Sequence, residues 1–160
     1  MSLFSSNFSP EEYRVHHAVV YTNDVNLSLR SRIIQQYEGY ESYTIIARSA
    51  LVTSSSKIAG GCALMEGAIV NGAILAQNSV INTKAVIEHG CILGNNVFVG
   101  PGAIVCGDTC IGDNVLVGAG VIIRDGIEIT ENVTIGMGSV VVRSIVEPGV
   151  YLGNPCRKIR

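Results

Sequence analysis

The chain has no tryptophan, three phenylalanines and six tyrosines, so aromatic rings make up only 6% of its 160 residues. Proline is scarce too, at four. The hydrophobic share is nevertheless 48%, which excludes global disorder. A core this apolar and this poor in rings must be built from Val, Ile, Leu and Ala. An excess of charge is also missing: 11 basic and 13 acidic residues leave a net charge of −2, with a pI near 5.9. Such a balance leaves no electrostatic footprint for nucleic acid or an anionic membrane.

Nowhere does the chain hold the roughly 18 consecutive apolar residues of a membrane span. Its opening, MSLFSSNFSPEEYRV, lacks the basic and apolar regions of a secretory signal. These absences read as a cytoplasmic protein without a membrane partner. The five cysteines are odd in number and irregular in spacing, which argues against a disulfide framework. Cys106 and Cys110 form a lone C-x3-C with no second pair and no neighbouring His, so no metal site is expected. The length suits one domain, or one domain with a small appendage.

Glycine is abundant, at 18 residues, and it belongs to a repeat. Val52, Ile58, Leu64, Val70, Leu75, Ile81, Ile87, Leu93, Val99, Val105, Ile111, Val117, Ile123, Ile129, Ile135 and Val141 are all Val, Ile or Leu. Every step between them is six residues except the step of five from Val70 to Leu75. The residue two places before each is uncharged and mostly small, as at Ala68, Ala85, Cys91 and Ala103. Gly, Ala or Asn often follows the large residue. A period of six drifts out of phase with both a helix and a lone alternating strand. It fits a short strand and a tight turn, repeated, with one large and one small residue pointing inward per hexad. The fold class is therefore an all-β solenoid of hexapeptide repeats, stabilised by stacking neighbouring coils.

The ends depart from the repeat. Residues 1–14 are polar and Ser-rich and read as a flexible arm. Residues 15–21 read as a strand, a helix runs from about Asp24 to Tyr37 with Asn23 as N-cap, and YTII at 43–46 reads as a second strand. This β-α-β unit, residues 15–46, is too small to fold alone and should dock on the first coil or on another chain. The solenoid spans 47–146, and residues 147–160 close it with Pro148 and Pro155.

The run VINTKAVIEHGCILGNNVFVGPGAIVCGDTCIGDNVLVGAGVII, continued through VTIGMGSVVVRSIVEPGVYLGNPCRKIR, resembles the left-handed β-helix acetyltransferases that modify bacterial sugars. The resembling group is the sialic-acid O-acetyltransferase and nucleotide-amino-sugar N-acetyltransferase type. The motifs that carry it are I-N-T, E-H-x-C and G-N-P, in that order. The resemblance implies a left-handed parallel β-helix with three hexads per coil, hence about five coils. It implies acetyl transfer from acetyl-CoA to a sugar acceptor, in homotrimers whose active sites lie in clefts between neighbouring β-helices. It also implies that His89 is the catalytic base, that Glu88 and Asn82 lie close to the substrate, and that Phe98, Gly107, Ala119 and Met137 line the CoA groove.

Stacking the coils at this spacing puts Gly107 above His89 and a residue near Gly72 below it. A His between two glycines stands in a notch, where a general base is accessible to ligand. Alone, the stack is also compatible with an ordinary exposed His. His16 and His17, on opposite faces of the first strand, read as structural or solvent-facing. A γ-class carbonic anhydrase needs three His for zinc, and the repeat holds one. Two departures from the family stand out. Gly90 occupies the place where the family carries an acid that orients the imidazole, so Glu88 or a neighbouring chain is expected to substitute, and Gly90→Asp should raise activity unless Gly90 needs a positive φ. The N-terminal unit is also short and lacks the usual sugar-nucleotide loop. Both features keep a second reading open, that of a non-catalytic assembly scaffold with a vestigial site.

Overall fold

A computed structural model describes residues 9–16 and 28–160. Nearly every element is a two-residue strand joined to the next by a tight turn, and the strands stack in parallel as a β-solenoid with three faces. The first face carries Ile45–Ile46, Ala63–Leu64, Val80–Ile81, Phe98–Val99, Leu116–Val117 and Val133–Ile135, and is closed by Gly149–Leu152 and the antiparallel Arg157–Lys158. The second carries Leu51–Val52, Ile69–Val70, Val86–Ile87, Ile104–Val105, Ile122–Ile123 and Val140–Val141. The third carries Lys57–Ile58, Ile74–Leu75, Ile92–Leu93, Cys110–Ile111 and Glu128–Ile129, with an isolated bridge from Ile129 to Ile145. Six strands on the second face mean six coils, one more than the hexads from Val52 imply. The extra coil begins at Ile45–Ile46, which pairs with Ala63–Leu64 as the first strand of the stack.

The register is set by coil length. Val86 pairs with Ile104, and Ile104 with Ile122, each eighteen residues on. Below them Ile69 pairs with Val86, only seventeen residues away, because the five-residue step falls within that coil. From Leu64 to Val141 the large residues of the repeat are buried and form one continuous core with their small partners. Val52 and Ile58, in the open first coil, are less covered. Inward hydroxyls and thiols close backbone groups of the adjoining turns: Ser79 Oγ donates to the Gly94 carbonyl and Cys91 Sγ to the Cys106 carbonyl. Burial raises the Cys91 thiol above its usual range, so the side chain serves as packing.

From Gly61 to Gly138 each turn holds one residue in the left-handed region. On the edge between the third and first faces that residue is Asn78, Asn96, Asn114 and Asn132, with φ between 56° and 59°. Asparagine tolerates this conformation better than most side chains, and the same column makes contacts. Asn96 Nδ2 donates to Asn114 Oδ1 at 2.7 Å.

The N-terminal unit docks beside this asparagine edge. Arg14–Val15 pairs in parallel with Glu41–Ser42, and His16 Nδ1 donates to the Tyr43 carbonyl at 2.9 Å. The remainder of the expected first strand, His17 and the expected cap Asn23 lie outside the described residues. The helix is Ser28–Gln35. Tyr37, expected on its last turn, instead follows it, in turns whose i to i+3 bonds tighten the helix end. Ser31 Oγ donates to Asn114 Oδ1 and accepts from Asn96 Nδ2. Arg30 is 1% exposed and donates to the Asn78 carbonyl at 2.7 Å. Burial lowers its pKa to about 10. The outward residues of the first face, Ala63, Val80, Phe98 and Leu116, are buried as a second apolar cluster.

A buried cation that carries the contact between helix and solenoid is costly to truncate. Arg30→Ala should destabilise the fold by about 2–4 kcal/mol, through the cavity and the abandoned Asn78 carbonyl. Arg30→Met, which keeps most of the volume, should cost less. Denaturant unfolding of both variants measures this, and an Ala variant as stable as the native chain would refute it.

Candidate active site

The turns between the second and third faces form the edge that carries His89. Reading up the stack, this edge holds Thr53–Ser56, then Gly72, then Glu88, His89 and Gly90, then Gly107 and Asp108, then Asp125 and Gly126. The imidazole is exposed and lies against the backbone of Gly107. A Cβ added to Gly107 would sit 2.7 Å from His89 Cε1, 3.0 Å from Nε2 and 3.1 Å from Nδ1. Gly107 has no positive φ, so the ring, and not the backbone conformation, excludes a side chain there. On the other side, a Cβ at Gly72 would lie 3.9 Å from His89 Cβ and 3.2 Å from Ser55 Oγ. The two glycines thus flank His89 in the stack, as the spacing predicts.

The short step shapes the floor of the notch. With one residue fewer in that turn, the Gly72 N–H donates to Thr53 Oγ1 at 2.7 Å and to Ser56 Oγ at 2.9 Å. Asn71 Nδ2 donates to Glu88 Oε2 at 2.9 Å, so the coil below holds the carboxylate. Glu88 is half-buried. Among the described residues of one protomer, no group hydrogen-bonds either nitrogen of the His89 ring.

The remaining residues expected near the chemistry lie elsewhere on the same chain. Asn82 is on the edge between the first and second faces, with its Oδ1 accepting from the Thr83 N–H at 2.7 Å. Ala119 and Met137 are on that edge two and three coils higher, both exposed, Met137 at 75%. The edge is stripped of bulk there: a Cβ added at Gly102, Gly120 or Gly138 would meet nothing within 4 Å. Phe98 points outward from the first face and is 6% exposed, within the cluster of Ala63, Val80 and Leu116. Within one protomer, then, Glu88, His89 and Gly107 come together, and Asn82, Ala119 and Met137 line a second edge across the second face. A cavity of about 410 Å³ on the third face, lined by Ile92, Cys110, Glu128 and Val146, belongs to neither edge. No group of three or more His, Cys, Asp and Glu that could hold a metal ion exists among the described residues, and among them no helix is long and apolar enough to cross a membrane.

Two contributors to this edge went unread in the sequence. Asn71 is one, signalled by its place seventeen residues before Glu88. Asp108 is the other, eighteen residues after Gly90. The condition set on Gly90→Asp is not met. Gly90 has φ +71°, and a Cβ built on it would run into the Asp108 carboxylate, with Asp108 Cγ at 3.2 Å. An acid at position 90 would have to share its space with the Asp108 carboxylate.

Comparison with known proteins agrees with this architecture. Residues 108–143 match the family model of the bacterial transferase hexapeptide (six repeats). A search of curated proteins gives no match. Among solved structures, the acetyltransferase domain of PglB from Neisseria gonorrhoeae superposes with a TM-score of 0.86 at 29% identity, over 96% of this chain and 74% of that one. Its complex with acetyl coenzyme A gives 0.84 at 28%, over 95% and 73%. PerB from Caulobacter crescentus, in complex with CoA and GDP-perosamine, gives 0.81 at 27%, over 86% and 68%. The chain is a parallel β-solenoid with a hexapeptide-repeat match over residues 108–143, and it is similar in sequence and structure to sugar acetyltransferases of this kind.

Gly90→Asp separates a vacant position from an occupied one. It should destabilise the protein by about 1–3 kcal/mol, because the added side chain runs into that of Asp108, and should lower any activity present. Thermal unfolding with a turnover assay measures this. A variant of native stability and raised turnover would restore the opposite view, that an acid is missing there.

Proposed function

We propose that the chain transfers the acetyl group of acetyl-CoA to an amino or hydroxyl group of a sugar or sugar nucleotide, with His89 as general base. It is an acyltransferase, and acetyl-CoA is its cosubstrate. The observation that carries the reading is the seat of His89: an exposed imidazole laid on a glycine backbone, at the edge opened by the one short turn of the stack.

The chemistry follows from that seat. The unprotonated imidazole nitrogen takes the proton of the acceptor N–H or O–H as the acceptor attacks the thioester carbonyl. Backbone N–H groups of the edge hold the oxyanion that forms. Collapse of the adduct breaks the C–S bond, and the departing thiolate takes the proton from the imidazolium. The acetyl group passes directly to the acceptor, with no covalent enzyme intermediate. Glu88, fixed by Asn71, and Asn82 face the acceptor. Ala119 and Met137, on the edge cleared by Gly102, Gly120 and Gly138, line a groove in which a long, thin CoA chain can lie against backbone, with Gly107 at its inner end. Phe98 belongs to the same proposed cofactor set from the first face.

The two edges belong to one site only if two copies meet. The second face lies between them, and its outward residues Leu51, Ile69, Val86, Ile104, Ile122 and Val140 are apolar along its whole length. On the third face the corresponding column begins at Lys57 and ends at Glu128, around Ile74, Ile92 and Cys110. Three prisms with their second faces turned toward a common axis bury this apolar strip. In that arrangement the histidine edge of each copy meets the glycine-rich edge of the next, at the same height. The proposed assembly is a homotrimer with three sites between copies.

His89→Ala should lower kcat by about 10²–10⁴-fold, with folding intact and with acetyl-CoA still raising the melting temperature. A variant turning over at the native rate would remove His89 from the role. Sedimentation should show a trimer, and a stable monomer at micromolar concentration would remove the shared site.

A further inference from the structure

Between the third and fourth coils, on the histidine edge, two side chains and two glycines interlock. His89 rises from the lower coil and its ring fills the space above which Gly107 lacks a side chain. Asp108 descends from the upper coil, and its carboxylate fills the space that a side chain on Gly90 would enter. Positions 89 and 107 stack in one column, and 90 and 108 in the next. The ring and the carboxylate therefore occupy adjoining columns between the same two coils. The backbone locks the pair, because the Asp108 N–H donates to the His89 carbonyl at 2.8 Å.

Asp108 also departs from its own column. The equivalent turn positions Gly72, Gly90 and Gly126 are all glycine with φ between 63° and 71°, whereas Asp108 holds φ +57° with a full side chain. Aspartate, like asparagine, tolerates that region, so the turn accepts Asp108 but does not require it: glycine serves at the equivalent positions below and above. The Asp108 carboxylate makes no hydrogen bond among the described residues, so no polar contact within the protomer holds it. The nearer acid in sequence, Glu88, is already held by Asn71.

We infer that Asp108 is the positioning residue for the proposed base. Its carboxylate, delivered from the coil above, faces the imidazole, fixes the ring's orientation and tautomer, and stabilises the imidazolium that forms as the acceptor proton is taken. Gly90 then has a function: it is the vacancy that admits this carboxylate. The inference rests on the reading of His89 as base.

The test uses Asp108→Asn and Asp108→Gly. Both suit the turn, as Asn does at Asn96 and Gly at Gly90 and Gly126, so both should fold with native melting temperatures. Each should lower kcat by about tenfold or more, by loss of the orienting carboxylate, with the KM for acetyl-CoA unchanged. Nitrogen-15 spectra of the free protein should show the His89 imidazole changing its tautomer ratio in both variants, a readout that needs no turnover. Native kcat in both variants, or an unchanged His89 ring signature, would overturn the role of Asp108. His89→Ala tells the two claims apart. If it is inactive while Asp108→Asn is native, only the Asp108 inference fails. If His89→Ala is active, the base reading fails first, and Asp108 with it.

Discussion

Coil closure at eighteen residues governs everything else in this molecule. Every backbone group on a face pairs with the coil above and below in a fixed register, so each turn position stands directly over its equivalents. A side chain at an edge cannot be chosen for its own coil alone, since it shares a column with the residues eighteen before and eighteen after it. Asparagine can repeat in such a column because it tolerates the left-handed turn and bonds to its neighbour. A ring cannot repeat, so His89 needs glycine above it. Stability is spread along the stack in the manner of repeat proteins, and the site occupies places where that regularity is interrupted.

Three such interruptions coincide on one edge. The turn at 71–75 is one residue short, so Asn71 reaches Glu88 and the Gly72 N–H turns to Thr53 and Ser56. One coil higher His89 lies on Gly107. One position along, Asp108 replaces the glycine of its column and overhangs Gly90. On the opposite side of the second face the departure is of another kind: glycine and alanine clear the edge, and Met137 stands exposed on it. Packing alone calls for none of these. Together they supply an accessible imidazole, a carboxylate beside it and a bare groove, which suit the proposed acetyl transfer.

Much of this was legible in the chain itself. The hexads give the solenoid, its core positions and the short step, because one large and one small inward residue recur whatever the surrounding sequence. They also put Gly107 above His89 and Gly72 close beneath it, which follows from counting. The start of the first coil was assigned to the N-terminal unit, although Ile46 continues the hexad six residues before Val52, because the neighbouring β-α-β pattern claimed the same residues. Arg30 was missed because a charged residue in an amphipathic helix reads as surface, and only the docking of that helix on the asparagine edge makes it interior. Asp108 was left unread because a comparison along the chain shows only that position 90 lacks an acid, whereas the neighbour that fills its space lies one coil away. The column rule that placed Gly107 over His89 also places Asp108 over Gly90.

The central claim is that the histidine edge of one copy and the glycine-rich edge of the next make one site. Subunit complementation tests it most directly. His89→Ala disables the first edge and Ala119→Trp blocks the second, so each variant alone should be inactive. Unfolded together and refolded as mixed trimers, they should recover activity at about one quarter of the native sites, the share of interfaces that pair two intact edges under random cyclic assembly. Mixed assemblies that form but remain as inactive as their parents would place the whole site within a single chain and contradict the account.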